Sequence, residues 1–248
     1  MSRGYAGLDF EGFKALAADP RLSPHEKVGF PDSYRAGKTA VILRDVTAKL
    51  APLRSRRKRV LDIGPGCGEL AHELIAWCGA REHRLTLVDS AEMLAQLPDA
   101  AHVEKHSGRF PEECLELVAE RRAGFDAVLV YSVLHYVFAE RDVFTFLDRA
   151  LELLAPGGQL LVGDIPNQSM RKRFFASEAG VRFHRRFTGS DEPPLVEHQV
   201  LETGHLDDAV VLALVMRARA AGFDAFLVPQ GKDLPMANRR EDLLVRRP

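Results

Sequence analysis

Five residues near the ends of two short apolar runs carry the most legible chemistry in this chain. In VLDIGPGCGEL, an apolar run ends at Ile63, Gly64, Gly66 and Gly68 alternate, and a helical pattern starts at once. Glycines in such a place let the backbone turn tightly and let a ligand approach closely. The helix N-terminus beyond them offers unpaired backbone N–H groups suited to a carboxylate or phosphate. Asp89 closes the next apolar run, 21 residues past Gly68. A carboxylate there can accept hydrogen bonds from two ribose hydroxyls. Taken singly, the glycines fit a plain strand–helix turn, and Asp89 fits an N-cap before AEML. Together they point to a nucleotide-like ligand. A dinucleotide site would take G-x-G-x-x-G, whereas the spacing here is G-x-G-x-G with Asp62 in front.

Strands and helices must alternate to present these residues on one rim. RVLDIG predicts a strand over 59–63, followed by a helix from about Glu69 to Cys78. RLTLVDS is a second strand ending at Asp89, AEMLAQL a short helix and AHVEKH a weak third strand. PEECLELVAERR reads as a helix opened by Pro111, a position that tolerates proline. FDAVLVYS is nearly all apolar, as a central parallel strand buried on both faces should be. RDVFTFLDRALELLAPGG is a helix ended by Pro156 and the Gly157–Gly158 pair, and QLLVGDI is a fifth strand. This alternation predicts an α/β fold: an open, Rossmann-like sheet with helices on both faces. Ahead of it, residues 1–56 read as an N-terminal helical cap, with one short helix before Pro20 and a second after Asp32. Residues 57–248 form the core, interrupted at about 166–206 by a polar, basic and aromatic excursion. A strong helix then starts near Asp207, and DAFLVPQ and EDLLVRR are two final strands.

The 248 residues suffice for one such domain. A net charge of −1 argues against a general nucleic-acid binder, without excluding a local basic patch. Cys67, Cys78 and Cys114 have neither metal-ligand spacing nor an even number for disulfides. No window reaches 18 apolar residues, and acids at Asp9, Glu11 and Asp19 are wrong for a signal peptide. A cytoplasmic protein without a membrane span is the expectation, as monomer or homodimer. Asp164 and Glu197 are too isolated in sequence to suggest a metal.

At Asp62, Gly64, Gly66 and Gly68 the chain resembles the class I S-adenosylmethionine-dependent methyltransferases. Asp89 matches their acidic residue after the second strand. DAVLVYSVLHYV and LLAPGGQLLVGD are similar to their fourth- and fifth-strand segments, so the resemblance covers residues 58 to about 165. It implies a seven-stranded sheet whose last strand is antiparallel. It implies S-adenosylmethionine as cofactor, leaving as S-adenosylhomocysteine. Gly64, Gly66 and Gly68 would pack against the methionine part, Asp62 would orient its amine, and Asp89 would hold the ribose. Ser90 or Met93 would flank the adenine. The third-strand end, where the family usually has an acidic or polar contact to the adenine amine, reads KHSGRF with no acidic residue nearby and leaves Ser107 or backbone groups for it. Tyr131 and Ser132 would face the cofactor. SYRAGK, GDIPNQSMRKRFF and LPMANRREDLLV further resemble a bacterial subgroup tied to surface-polysaccharide or small-metabolite biosynthesis.

The resemblance implies transfer of an already activated methyl, so the protein mainly aligns an acceptor and helps remove its proton. His135 is the first candidate base, with His184 second and Tyr136 a hydrogen-bonding or stacking partner. A loop-packing histidine and a core aromatic are the alternatives. Tyr34, Lys38, Arg171, Arg173 and Arg185 are candidate acceptor contacts, since basic side chains near the rim suit a phosphate, a nucleotide-linked sugar or another anionic metabolite. The alternative is an amphipathic helix with a solvated basic face. A small anionic or sugar-like acceptor, methylated at oxygen, is therefore expected. DNA is disfavoured because YSVLHY lacks the Asn/Asp-Pro-Pro-aromatic pattern; an RNA methyltransferase and a non-catalytic nucleotide-binding scaffold are the competing readings.

Overall fold

The computed structural model describes residues 8–29 and 37–248, apart from the side chain of His25. Seven strands form one sheet: β1 Arg59–Ile63, β2 Arg84–Asp89, β3 Val103–Ser107, β4 Phe125–Tyr131, β5 Leu154–Pro166, β6 Asp224–Pro229 and β7 Arg240–Arg246. Their order is β3-β2-β1-β4-β5-β7-β6. The first five strands run parallel, and β7 alone is antiparallel to its neighbours. This is the predicted Rossmann-like sheet with its antiparallel last strand. The order reverses between β1 and β4, which opens a crevice at the carboxyl ends of those strands.

Apolar side chains cover both faces. Ile42, Leu43 and Val46 of helix Thr39–Lys49 and Leu74, Ile75 and Cys78 of helix Glu69–Ala80 pack on one face with Val60, Leu85 and Leu129. Phe146, Leu147 and Leu151 of helix Val143–Glu152 and Val211 and Leu214 of helix Asp208–Ala220 cover the other with Val128 and Leu160. β4 is almost wholly buried, as its unbroken apolar run demands. Among the described residues no helix is long and apolar enough to cross a membrane.

Some elements depart from the sequence expectation. The helix expected at Pro111 starts at Leu115. The Glu113 carboxylate accepts the Arg109 N–H at 2.8 Å, and the Glu113 N–H bonds back to the Arg109 carbonyl. These bonds hold 109–113 as a separate turn. The helix before β5 ends at Glu152, short of Pro156, because Leu154 already pairs with Phe125. YSVLHY continues into an unexpected helix, Leu134–Glu140. The excursion holds two helices, Gln168–Ala176 and Glu178–Thr188, and then irregular chain. In the N-terminal region, helix α1 (Phe10–Ala18) is capped by Asp9, whose carboxylate accepts the Gly12 N–H at 2.7 Å.

Candidate active site

The strand–turn–helix at β1 builds the floor of the crevice. Gly64 and Gly66 have φ of +73° and +64°, a left-handed region costly for other residues. A Cβ at Gly64 would lie 2.6 Å from Val133 Cγ2, so only glycine lets the turn pass under that side chain. Gly68 caps helix Glu69–Ala80 without any side-chain cap bond. Gly66, Gly68, Glu69 and Leu70 all line the same cavity, which leaves the first helical N–H groups facing a prospective anion.

Asp62 and Asp89 line the floor of this cavity, and Glu69, Glu112, Glu140 and Asp142 also line it. Asp62 is 4 % exposed, and its Oδ1 has no hydrogen-bond partner among the described residues. Burial, with the nearby charge of Asp89, pushes its carboxyl up to about 8. Asp89 accepts the Gly66 N–H at 2.9 Å on Oδ2 and the Ser90 N–H at 2.7 Å on Oδ1. Burial raises it to about 6, against the lowering effect of those two bonds. A carboxylate has about four acceptor sites, so both oxygens keep capacity for hydroxyl donors. An ammonium beside Asp62 and a diol beside Asp89 would satisfy what the fold leaves open.

Tyr131 and Ser132 line the wall at the end of β4, with Val133, Tyr136 and Val137 from the following helix. Ser132 has φ of +61° and donates its hydroxyl to Asp164, which has φ of +60°. Arg240 pairs with Asp164 at 2.6 Å, while Asp242 accepts the Asp164 N–H at 2.8 Å and pairs with Lys49 at 2.6 Å. Asp164 and Asp242 therefore each have a cation. The roof comes from the N-terminal region. Phe10, Phe13 and Val28 line the cavity, the Phe13 ring meets the Tyr136 ring edge-on at 4.8 Å, and the Arg109 guanidinium lies 4.5 Å from the centroid of the Phe10 ring.

The predicted residues separate accordingly. Asp62, Gly64, Gly66, Gly68, Asp89, Met93, Tyr131, Ser132 and Tyr136 share the cavity. Ser90 is not among the lining residues; its hydroxyl accepts the Met93 N–H as a helix cap. Ser107 is exposed at the end of β3, and Gly108, Arg109 and Phe110 line the cavity in its place. His135 does not line the cavity, and its ring packs on Tyr136 with centroids 3.9 Å apart. His184 and Arg171 line a second cavity within the excursion. Arg173 pairs with Asp208 at 2.5 Å, and Lys38 donates to the Asp233 carbonyl at 3.3 Å. Arg185 is exposed on helix Glu178–Thr188. Tyr34 lies outside the described residues. Sequence reasoning missed Phe10, Phe13, Val28, Arg109, Phe110 and Val133. Of these, Arg109 and Phe110 carried a signal, standing just past Gly108 at a strand end; the N-terminal residues arrive from outside the alternating pattern.

Residues 60–158 match a family model described as a methyltransferase domain. Over this stretch the chain is similar to a methyltransferase domain, and its seven-stranded sheet has the Rossmann-like methyltransferase fold. Among curated proteins, the chain is 28 % identical over 167 residues to the ubiquinone/menaquinone biosynthesis C-methyltransferase UbiE of Rhizobium leguminosarum bv. trifolii. That match covers 64 % of this chain and 62 % of the relative, so it spans less than two thirds of the relative's length. An O-methyltransferase family protein from Burkholderia thailandensis superposes with a TM-score of 0.55 at 18 % identity, covering 99 % of this chain and 65 % of that one. The N-methyltransferase NodS from Bradyrhizobium japonicum, solved with S-adenosylhomocysteine, gives 0.53 at 15 % identity, covering 96 % and 98 %. These likenesses are of fold.

Proposed function

We propose that this methyltransferase moves the methyl group of S-adenosylmethionine to a small acceptor that carries an apolar ring, at a ring oxygen. The observation that carries the cofactor half is the buried Asp62 carboxyl, open at Oδ1 and set beside Asp89 at the end of a left-handed glycine turn. Bound there, the cofactor supplies an electrophilic methyl on a sulfonium. Asp62 would accept the ammonium of the methionine part, and the uncapped N–H groups of helix Glu69–Ala80 would take its carboxylate. Asp89 would accept the ribose hydroxyls, with Met93 and Phe110 offering apolar surface to the base. The Gly108 backbone would stand in for the acidic contact near the adenine amine.

The acceptor half rests on the rest of the lining. Phe10, Phe13, Ile42, Tyr131, Tyr136 and Val137 give it an apolar, aromatic part, beside the charged Glu112, Glu140, Arg141 and Asp142. Such a surface suits a ring more than a sugar phosphate. The basic residues of the excursion do not line it, which weakens the sugar-like and anionic expectation. Tyr136, on the cavity lining, would hydrogen-bond an acceptor hydroxyl, whose proton would leave to solvent as the methyl arrives. The Rhizobium relative is named a C-methyltransferase, and an apolar cavity admits a ring carbon as readily as a ring hydroxyl. A labelled-methyl transfer assay against phenols, hydroquinones, sugar nucleotides and bulk RNA tests the proposal, with the product's methyl position read by NMR. Label on a ring oxygen is expected. Label on sugar nucleotides or RNA alone would overturn the acceptor class, and label on a ring carbon would overturn the atom.

A further inference from the structure

Helix Glu178–Thr188 buries only one of its residues, Gly180. Its one packing neighbour of substance is helix Gln168–Ala176. The two approach so closely that a Cβ at Gly180 would fall 1.9 Å from the Phe174 carbonyl oxygen. The Phe174 ring meets Phe175 and Phe183 edge-on, and Phe187 stacks on Phe183 with centroids 5.9 Å apart. Beyond that contact the apolar side stays in water. Phe187 is 67 % exposed, and the following segment adds Leu195 at 90 % and Leu201 at 83 %. Leu195, Val196 and Val200 also line a mixed cavity with Phe175, shared with Arg171, Lys172, His184, Glu197 and Glu202.

Charge is concentrated on the same helices. Residues 168–188 carry six Lys or Arg and one acid, in a chain whose net charge is −1. Two of the six are used internally: Lys172 is held by the Val200 carbonyl and Glu202, and Arg173 by Asp208. Arg171, Arg182, Arg185 and Arg186 remain exposed, with Glu178 facing Arg182 at 3.5 Å. Asp191, Glu192 and Glu197 lie on the next segment, so the positive face belongs to the helix itself. On a helical projection the arginines oppose Gly180, Phe183 and Phe187.

We propose that helix Glu178–Thr188, with Leu195 of the following segment, docks the protein on an anionic lipid surface. The proposal stands apart from the acceptor reading above. An amphipathic helix with phenylalanine on one face and arginine on the other lies in a membrane interface, where long basic side chains reach the headgroups. Leucines standing out singly at such exposure need a pocket each on a protein partner, whereas fluid acyl chains receive them as they are. A second copy of this chain would bring arginine against arginine. Docking here would place the membrane beside β5 and β7, whose ends anchor helix Gln168–Ala176 through the Asn167–Glu241 bond at 2.5 Å.

Sedimentation with vesicles tests this on the full chain. The protein should bind phosphatidylcholine vesicles containing roughly a third phosphatidylglycerol and not pure phosphatidylcholine, with binding weakened by high salt. Arg182→Glu with Arg186→Glu should weaken it on the order of 25-fold or more, at about fivefold per charge lost. Phe187→Ser and Leu195→Ser should each cost about tenfold or more. All four side chains are exposed, so the melting temperature should hold within a few degrees. No binding to anionic vesicles at roughly millimolar lipid would overturn the proposal. So would equal binding by all variants, or self-association abolished by Phe187→Ser without any vesicle binding.

Discussion

Replacing Asp62 with Asn should move stability and cofactor binding in opposite directions. The wild-type carboxyl is held near 8 rather than at its ordinary 3.8. The folded state therefore binds this proton more tightly than the unfolded chain does. Stability from this group is complete below about pH 4 and falls as pH rises to about 8. Each unit is worth about 1.4 kcal/mol, so the loss between about pH 5 and about pH 8 is at most about 4 kcal/mol. Asn does not titrate. Its own hydrogen-bonding cost is a constant offset and leaves the slope untouched, and Asp89 titrates in both proteins. In urea unfolding across that range, the variant should gain on the wild type steadily with pH. Binding should respond the other way. Losing a charge-assisted bond to an ammonium costs about 1.5–3 kcal/mol, or roughly 10- to 150-fold in affinity for S-adenosylhomocysteine. Parallel stability curves, or unchanged binding, would refute the assignment of Asp62.

Four further outcomes follow from the same geometry. Because an ammonium favours ionised Asp62, binding of S-adenosylhomocysteine near neutral pH should release about one proton, seen as a calorimetric enthalpy that depends on the buffer. Gly64→Ala forces a left-handed alanine into Val133, and should destabilise by about 2 kcal/mol or more while weakening cofactor binding further than its stability loss explains. Arg240→Met leaves the Asp164 carboxylate buried without its cation and should cost about 3–5 kcal/mol in chemical denaturation. Phe13→Ala removes the ring that meets Tyr136 and should speed cofactor dissociation in stopped-flow fluorescence with little change in the association rate.

The parallel core was legible because three of its strands end in their own punctuation: Gly64 after β1, Asp89 closing β2, Ser132 after β4. Local chemistry dictated those turns, so the cofactor side of the cavity could be read without contacts. The roof could not. Phe10 and Phe13 sit on an ordinary amphipathic helix, and only tertiary packing on Tyr136 and Arg109 brings them to the crevice. His135 and His184 drew notice because histidine titrates near neutrality. Composition alone does not tell that one packs on Tyr136 while the other stands in a separate cavity. The buried Ser132–Asp164–Arg240 chain joins residues from three segments, a pairing that period and spacing do not encode.

Isothermal titration with S-adenosylhomocysteine tests the central claim most directly. The account predicts one site with a dissociation constant in the micromolar range, lost when Asp89 is replaced by Ala and unaffected by NAD as competitor. No heat up to roughly millimolar ligand, or displacement by NAD, would contradict it.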